Sequence, residues 1–121
     1  MNPSVLVCDD SNLARKQVIR SLPEAWKSNL QQATNGREAL EVLRNGTIEV
    51  MFLDLTMPEI DGLGVLEAIL KEDIEVSVFV ISADIQPEMQ SRVMELGACA
   101  FMRKPINPTT LIEVLQEHKL Q

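Results

Sequence analysis

Val50-Met51-Phe52-Leu53-Asp54 decides the fold: four consecutive apolar residues, then an acid. The run is too short for a helix, and because it does not alternate with polar residues it sets no face aside for water. It reads as a strand covered on both sides. Upstream the same signature appears at Val5-Leu6-Val7-Cys8, running into Asp9-Asp10. Downstream it returns at Val78-Phe79-Val80-Ile81, followed by Ser82-Ala83-Asp84, and more weakly at Ala100-Phe101-Met102, followed by Arg103-Lys104-Pro105. A more polar stretch, Asn29 to Ala33, reads as a fifth strand, and its Gln31 and Gln32 suit a sheet edge.

Helical periodicity fills the intervals. Leu13 to Leu22 places Ala14, Val18 and Leu22 on one stripe with Ile19 beside it. Arg37 to Asn45 follows an Asn35-Gly36 start signal, turns Leu40 and Leu43 inward and ends at Gly46. Leu63 to Lys71 repeats apolar residues at Leu63, Leu66 and Leu70. Pro87 to Leu96 and Pro108 to Leu120 both open with proline in the first turn. The former carries Met89, Val93 and Leu96 as core and closes at Gly97; the latter turns Leu111 and Leu115 inward. A strand–helix unit repeated five times predicts an α/β fold: a doubly wound parallel sheet with right-handed crossovers and helices on both faces.

The chain has 121 residues, and 18 acidic against 11 basic side chains give a formal net charge of −7. That length suits a single domain, 1–121. The acidic balance argues against direct binding to nucleic acid or an anionic membrane. With no Tyr, one Trp and three Phe, an aromatic-rich pocket is not expected. No apolar run approaches the roughly 20 residues of a bilayer span. Met1-Asn2-Pro3-Ser4 does not read as a signal peptide. Cys8 and Cys99 sit in apolar surroundings without a metal-binding pattern and read as buried thiols of a cytoplasmic protein.

In a doubly wound sheet, function gathers beyond the carboxyl ends of the strands. There the sequence places three carboxylates, Asp9, Asp10 and Asp54, with the Ser82 hydroxyl and the Lys104 ammonium, and Asp84 follows Ser82 nearby. Two carboxylates about 4 Å apart repel by about 4 kcal/mol at an effective dielectric of 20, and one lysine does not offset three. Such a crevice keeps a proton on one acid or takes a divalent cation, and an all-oxygen donor set suits Mg²⁺. A magnesium-binding acid cluster with a lysine is the outline of a phosphoryl-transfer site in which a carboxylate is the nucleophile. Neither GxxxxGK(S/T) nor GxGxxG is present, so no nucleotide cradle is expected.

With these residues in view, the chain resembles the receiver domains of bacterial two-component response regulators, the chemotaxis CheY-like group included. The stretches that carry the likeness are VLVCDDS at 5–11, ATNGREALEVL at 33–43, FLDLTMPEIDGLGVL at 52–66, VFVISAD at 78–84, LGACAFMRKPI at 96–106 and LIEVL at 111–115. The resemblance implies a flavodoxin-like (βα)5 sheet of order 2-1-3-4-5. It implies that Asp54 accepts a phosphoryl group from a phosphohistidine donor, and that the domain is a switch and not an enzyme with a free substrate. Asp10 and Asp54 would bind Mg²⁺ by side chain, Thr56 by its main-chain carbonyl and Asp9 largely through water, with Mn²⁺ as a substitute. Lys104 would contact the phosphoryl group, with a cis bond to Pro105. Ser82 and Phe101 would form the switch pair. Phe101 lacks the hydroxyl of the Tyr often found there. Thr56 and Asp84 stand where phosphoryl lifetime is tuned.

The implied partners are a sensor histidine kinase or histidine phosphotransfer protein, and an output protein on the face of the fourth helix, fifth strand and fifth helix. The chain is expected to be a stand-alone receiver of chemotaxis or phosphorelay type, or the N-terminal part of a longer regulator. Rival readings fit less well. A haloacid-dehalogenase-type phosphatase wants an acid where Thr56 stands, a phosphorylation-independent binding module does not need the full site, and a flavodoxin-like redox protein would hold flavin. Elsewhere, His118 reads as a surface residue near a helix end, and Asp61-Gly62 as a turn. Trp26, Met57 and Pro58 read as packing or turn residues.

Overall fold

The computed structural model describes residues 2–57, 59–83 and 86–118. Five parallel strands, β1 (Val5–Cys8), β2 (Leu30–Ala33), β3 (Val50–Leu53), β4 (Ser77–Ser82) and β5 (Ala100–Arg103), lie in the order β2-β1-β3-β4-β5. They alternate with helices α1 (Asn12–Ser21), α2 (Gly36–Arg44), α3 (Gly62–Glu72), α4 (Pro87–Glu95) and α5 (Pro108–Glu117). The doubly wound order 2-1-3-4-5 is therefore observed, with β2 at an edge and its Gln31 and Gln32 exposed. A short 3₁₀ turn at Glu24–Lys27, absent from the sequence reading, buries Trp26 beneath α1 and β2. Among the described residues, no helix is long and apolar enough to cross a membrane.

Because side chains alternate along each strand, the continuous apolar runs feed two cores. Leu6, Cys8, Met51, Leu53, Val78 and Val80 face the layer of α2, α3 and α4. Val5, Val7, Val50, Phe52, Phe79 and Ile81 face α1 and α5. Four helices begin the same way: Ser11, Asn35, Asp61 and Asn107 each accept the N–H three residues on, from Ala14, Glu38, Gly64 and Thr110. These caps satisfy amide groups that the first turn leaves unpaired. Asp61 is thus a cap, in line with its reading as a turn residue.

Two expectations differ in detail. In α3 the inward stripe is Val65, Leu66 and Ile69, with Gly62 above it, while Leu70 is 60% exposed. The 63-66-70 spacing follows the apolar residues available, whereas the sheet selects the set one position over. Cys99 is only half-buried, unlike Cys8. In α1 the buried stripe also includes Arg15, at helical spacing with Val18 and Leu22. The expected continuation of α5 to Leu120 and the readings of Pro58 and Asp84 lie outside the described residues.

Gly62 couples the fold to the strand ends. A Cβ there would sit 2.5 Å from the Asp54 carbonyl oxygen and 2.7 Å from Leu55 Cα, both main-chain atoms that cannot swing aside. Gly62 N–H meanwhile donates to the Leu55 carbonyl at 2.9 Å, closing the loop after β3 onto the start of α3. Gly62→Ala is therefore expected to cost about 1–3 kcal/mol, the range for overpacking a core. Urea unfolding followed by circular dichroism measures it, and an unchanged midpoint would contradict the close approach.

Candidate functional site: an acidic crevice at the strand ends

Parallel register builds the site. Cys8 of β1 stands opposite Leu53 of β3, so the next residues, Asp9 and Asp54, leave the sheet side by side. The link continues one step further, Asp54 N–H donating to the Cys8 carbonyl at 3.0 Å. Asp9 and Asp54 are buried and Asp10 is exposed, and each offers a carboxylate oxygen within 4.8 Å of the other two. The donors are all oxygen, with an exposed side for water, as Mg²⁺ requires.

Lys104 follows β5, two strand spacings or about 10 Å from β3. Its N–H donates to the Ser82 carbonyl at 2.9 Å, anchoring its backbone to the end of β4. From there the ammonium reaches over β4 to Asp9 Oδ2 at 2.8 Å and Asp54 Oδ1 at 3.2 Å. The peptide bond between Lys104 and Pro105 is cis. Ser82 is the buried last residue of β4. Thr56 is exposed in the loop after Asp54, between buried Leu55 and Met57. Met57 packs beneath the crevice, its Sδ 3.4 Å from Cys8 Sγ, in keeping with a packing role.

Phe101 does not line the crevice. It is half-buried against the core on the α4 side. Its register partner is Val80, and Ser82 pairs with Arg103. Side-chain alternation therefore puts Ser82 and Phe101 on the same face of neighbouring strands, diagonal to each other. His118 is exposed after α5, its Nδ1 3.0 Å from the Val114 carbonyl and its Nε2 3.0 Å from the Cys99 carbonyl. It lies far along the strands from the acids, and its ring edge rests on Phe79.

Charge crowding shows in the proton affinities. Burial, then the neighbouring charge of Asp9, raise the Asp54 carboxyl above its ordinary 3.8, against the pull of Lys104. For Lys104, burial opposes its charge, but the hydrogen bond to Asp9 and the charges of Asp54 and Asp9 outweigh it and raise its affinity. Beneath them, burial first and the Asp9 and Asp54 charges second push the Cys8 thiol up to about 12, so it is an inert packing group.

An acidic, lysine-bearing crevice at the carboxyl edge of a doubly wound sheet defines a class of phosphate-handling site. Comparison with known proteins narrows the class. The chain matches the family described as the response regulator receiver domain across residues 5–116. It is 32% identical over 117 residues to the chemotaxis protein CheY of Thermotoga maritima, covering 97% of this chain and 98% of that one. It is also 33% identical to a protein-glutamate methylesterase/protein-glutamine glutaminase of Treponema denticola, of which it spans only 32%. Among solved structures, a CheX–CheY–BeF3–Mg²⁺ complex from Borrelia burgdorferi is similar at a TM-score of 0.87 and 27% identity, over 97% of this chain and 89% of that one. The chain belongs to the response regulator receiver family, whose members are phosphoacceptor switches.

Arg15 is the site neighbour that sequence reasoning missed. Its guanidinium donates to the Asp9 main-chain carbonyl at 2.7 Å, directly behind the acid pair.

A raised Asp54 affinity means that the folded state holds this proton more tightly than the unfolded chain. Its contribution to stability is present below the unfolded value and is lost as pH rises through the folded one. At pH 7 without metal, Asp54→Asn should therefore melt higher, by about 4 °C for a gain of about 1 kcal/mol. The gain should shrink as pH is lowered toward 4. Calorimetry in chelator is the check, and an equal or lower melting point at pH 7 would refute the charge crowding.

Proposed function

We propose that Asp54 is the phosphoacceptor of this receiver and that it takes its phosphoryl group from a phosphohistidine on a sensor kinase or phosphotransfer protein. The observation that carries the reading is the buried Asp54 carboxylate, crowded by Asp9 and yet touched by the Lys104 ammonium. A nucleophile so placed gains from the arrival of positive charge. An Asp54 oxygen attacks phosphorus, an acyl–phosphate bond forms, and the phosphorus–nitrogen bond to the donor imidazole breaks. Lys104 then neutralises charge on the transferred oxygens, leaving Asp9 for them.

Asp9, Asp10 and Asp54, with the Thr56 main-chain carbonyl, would hold Mg²⁺, or Mn²⁺ in its place. Bound there, the ion would supply charge neutralisation to the phosphoryl oxygens and align the acceptor. The Ser82 hydroxyl would turn toward the new phosphoryl group, and Phe101, on the same sheet face, would follow by moving inward. A population shift between two conformers would carry the change to the face of α4, β5 and α5, where an output protein docks. Thr56 and Asp84 are assigned to phosphoryl lifetime. Without a hydroxyl, Phe101 signals by packing alone.

Similarity to a CheY over nearly its whole length supports a chemotaxis-type receiver, within one domain spanning 1–121 and with the cytoplasm as its compartment. Similarity to about a third of a methylesterase equally fits the receiver portion of a longer regulator. Direct contact with nucleic acid or membrane forms no part of the reading.

Acetyl phosphate tests it. Intact mass should show one phosphoryl adduct in Mg²⁺, none in chelator, and none for Asp54→Asn. An adduct that survives the Asp54 substitution would overturn the assignment. Loss of the adduct on Lys104→Ala, in a protein that still binds Mg²⁺, would locate the charge-neutralising role.

A further inference from the structure

One buried charge takes no part in the chemistry described above. Arg15 stands on the inward side of α1 and is 8% exposed. Among the described residues its guanidinium forms no ion pair, and its donors go to neutral oxygens. Nη1 meets the Asp9 carbonyl at 2.7 Å, Nε meets Gln32 Oε1 on β2 at 2.8 Å, and Nη2 meets Asn12 Oδ1. Burying a cation without an anionic partner is costly. An apolar side chain in line with Val18 and Leu22 would serve the packing of α1 at least as well, so packing does not account for the arginine.

The backbone of Asp9 supplies the missing reason. Its N–H donates to the Ala33 carbonyl at 3.1 Å, and its carboxylate accepts from Ser11 N–H at 2.9 Å and from Lys104 at 2.8 Å. The remaining group is the main-chain carbonyl, and Arg15 holds it. That carbonyl belongs to the peptide joining Asp9 to Asp10. Its orientation sets the direction in which the exposed Asp10 carboxylate leaves the backbone. The planar fork of the guanidinium, itself braced by Gln32 and Asn12, is suited to fixing such a plane.

We propose that Arg15 is a positioning residue for the metal-binding acids: it locks the Asp9–Asp10 peptide plane so that both carboxylates converge with Asp54. The role rests on the magnesium site proposed above. It predicts that metal affinity and fold stability respond separately to substitution. Arg15→Met keeps the length of the stem and removes the buried charge. Its melting point in chelator should stay close to that of the parent, while its Mg²⁺ dissociation constant rises about tenfold, as on loss of a hydrogen-bonded support behind a ligand. Arg15→Lys keeps the charge without the fork and should fall between the two. The Asp10 amide nitrogen, in the same peptide as the held carbonyl, should shift in the ¹⁵N spectrum of both variants.

Gln32→Leu provides a second variant at an exposed edge-strand position, where folding is not at stake. Freed of one brace, its Mg²⁺ affinity should fall about twofold to threefold, within the reach of one lost hydrogen bond. Should Arg15→Met fail to fold, Gln32→Leu decides alone. Parent-like Mg²⁺ affinity and an unmoved Asp10 resonance in the folded variants would overturn the positioning role and leave the magnesium site standing. A parent protein that binds no Mg²⁺ would instead overturn the site itself, and the positioning role with it.

Discussion

Among the described residues, three carboxylates and one ammonium meet at the carboxyl edge of the sheet, and the molecule is organised around the resulting excess of negative charge. Parallel register forces Asp9 and Asp54 together, because each is the first residue beyond a pair of matched strand ends. Lys104 reaches Asp54 from two strands away and Asp9 from three, and the Asp54 proton affinity still stays high. The fold thus holds the Asp54 carboxylate in a state that a further cation relieves. The same crowding that costs stability provides the pull for a cation, and in the proposed switch a cation would have to arrive before an anionic phosphoryl group is tolerated there.

The remainder of the architecture keeps that edge in place and gives it an outlet. Gly62 lets the start of α3 lie directly on the Asp54 carbonyl, where a side chain would push the Asp54 backbone aside. The Lys104 backbone is pinned to the end of β4, so movement at Ser82 and at Lys104 is felt by the same strand pair. Phe101 shares its sheet face with Ser82 and packs toward α4. The proposed phosphoacceptor site and the proposed output face would thereby be joined through one pair of adjacent strands.

Much of this is legible in the sequence, for a physical reason. Strands buried on both faces leave continuous apolar runs, so Val50–Leu53 and its counterparts announce a parallel sheet, and the residue after each run falls at the functional edge. Asp9, Asp10, Asp54, Ser82 and Lys104 could be brought together from spacing and chain order alone. What spacing does not carry is the identity of the exception within a stripe. Arg15 stands at the spacing of Val18 and Leu22, but nothing in the sequence shows that its charge is buried there until the carbonyl it donates to is seen. In α3, Leu63, Leu66 and Leu70 are as apolar as the set actually buried, and only the sheet chooses between them. Cys99, just before β5, is half-buried, with its carbonyl 3.0 Å from His118 Nε2, a pairing 19 residues apart that spacing does not show. The hydroxyl-free Phe101 was visible as a departure, whereas its placement away from the crevice required the register.

The account stands most directly on the ionisation of one group. Labelled with ¹³C at its side-chain carboxyl, Asp54 can be titrated by NMR in chelator and again in saturating Mg²⁺. In chelator its pKa should lie above the ordinary 3.8, because burial and Asp9 oppose the charge. With Mg²⁺ it should drop below that value, as the added cation removes the crowding. An Asp54 that titrates at the ordinary value and ignores Mg²⁺ would contradict the claim that this crevice is built around unrelieved negative charge.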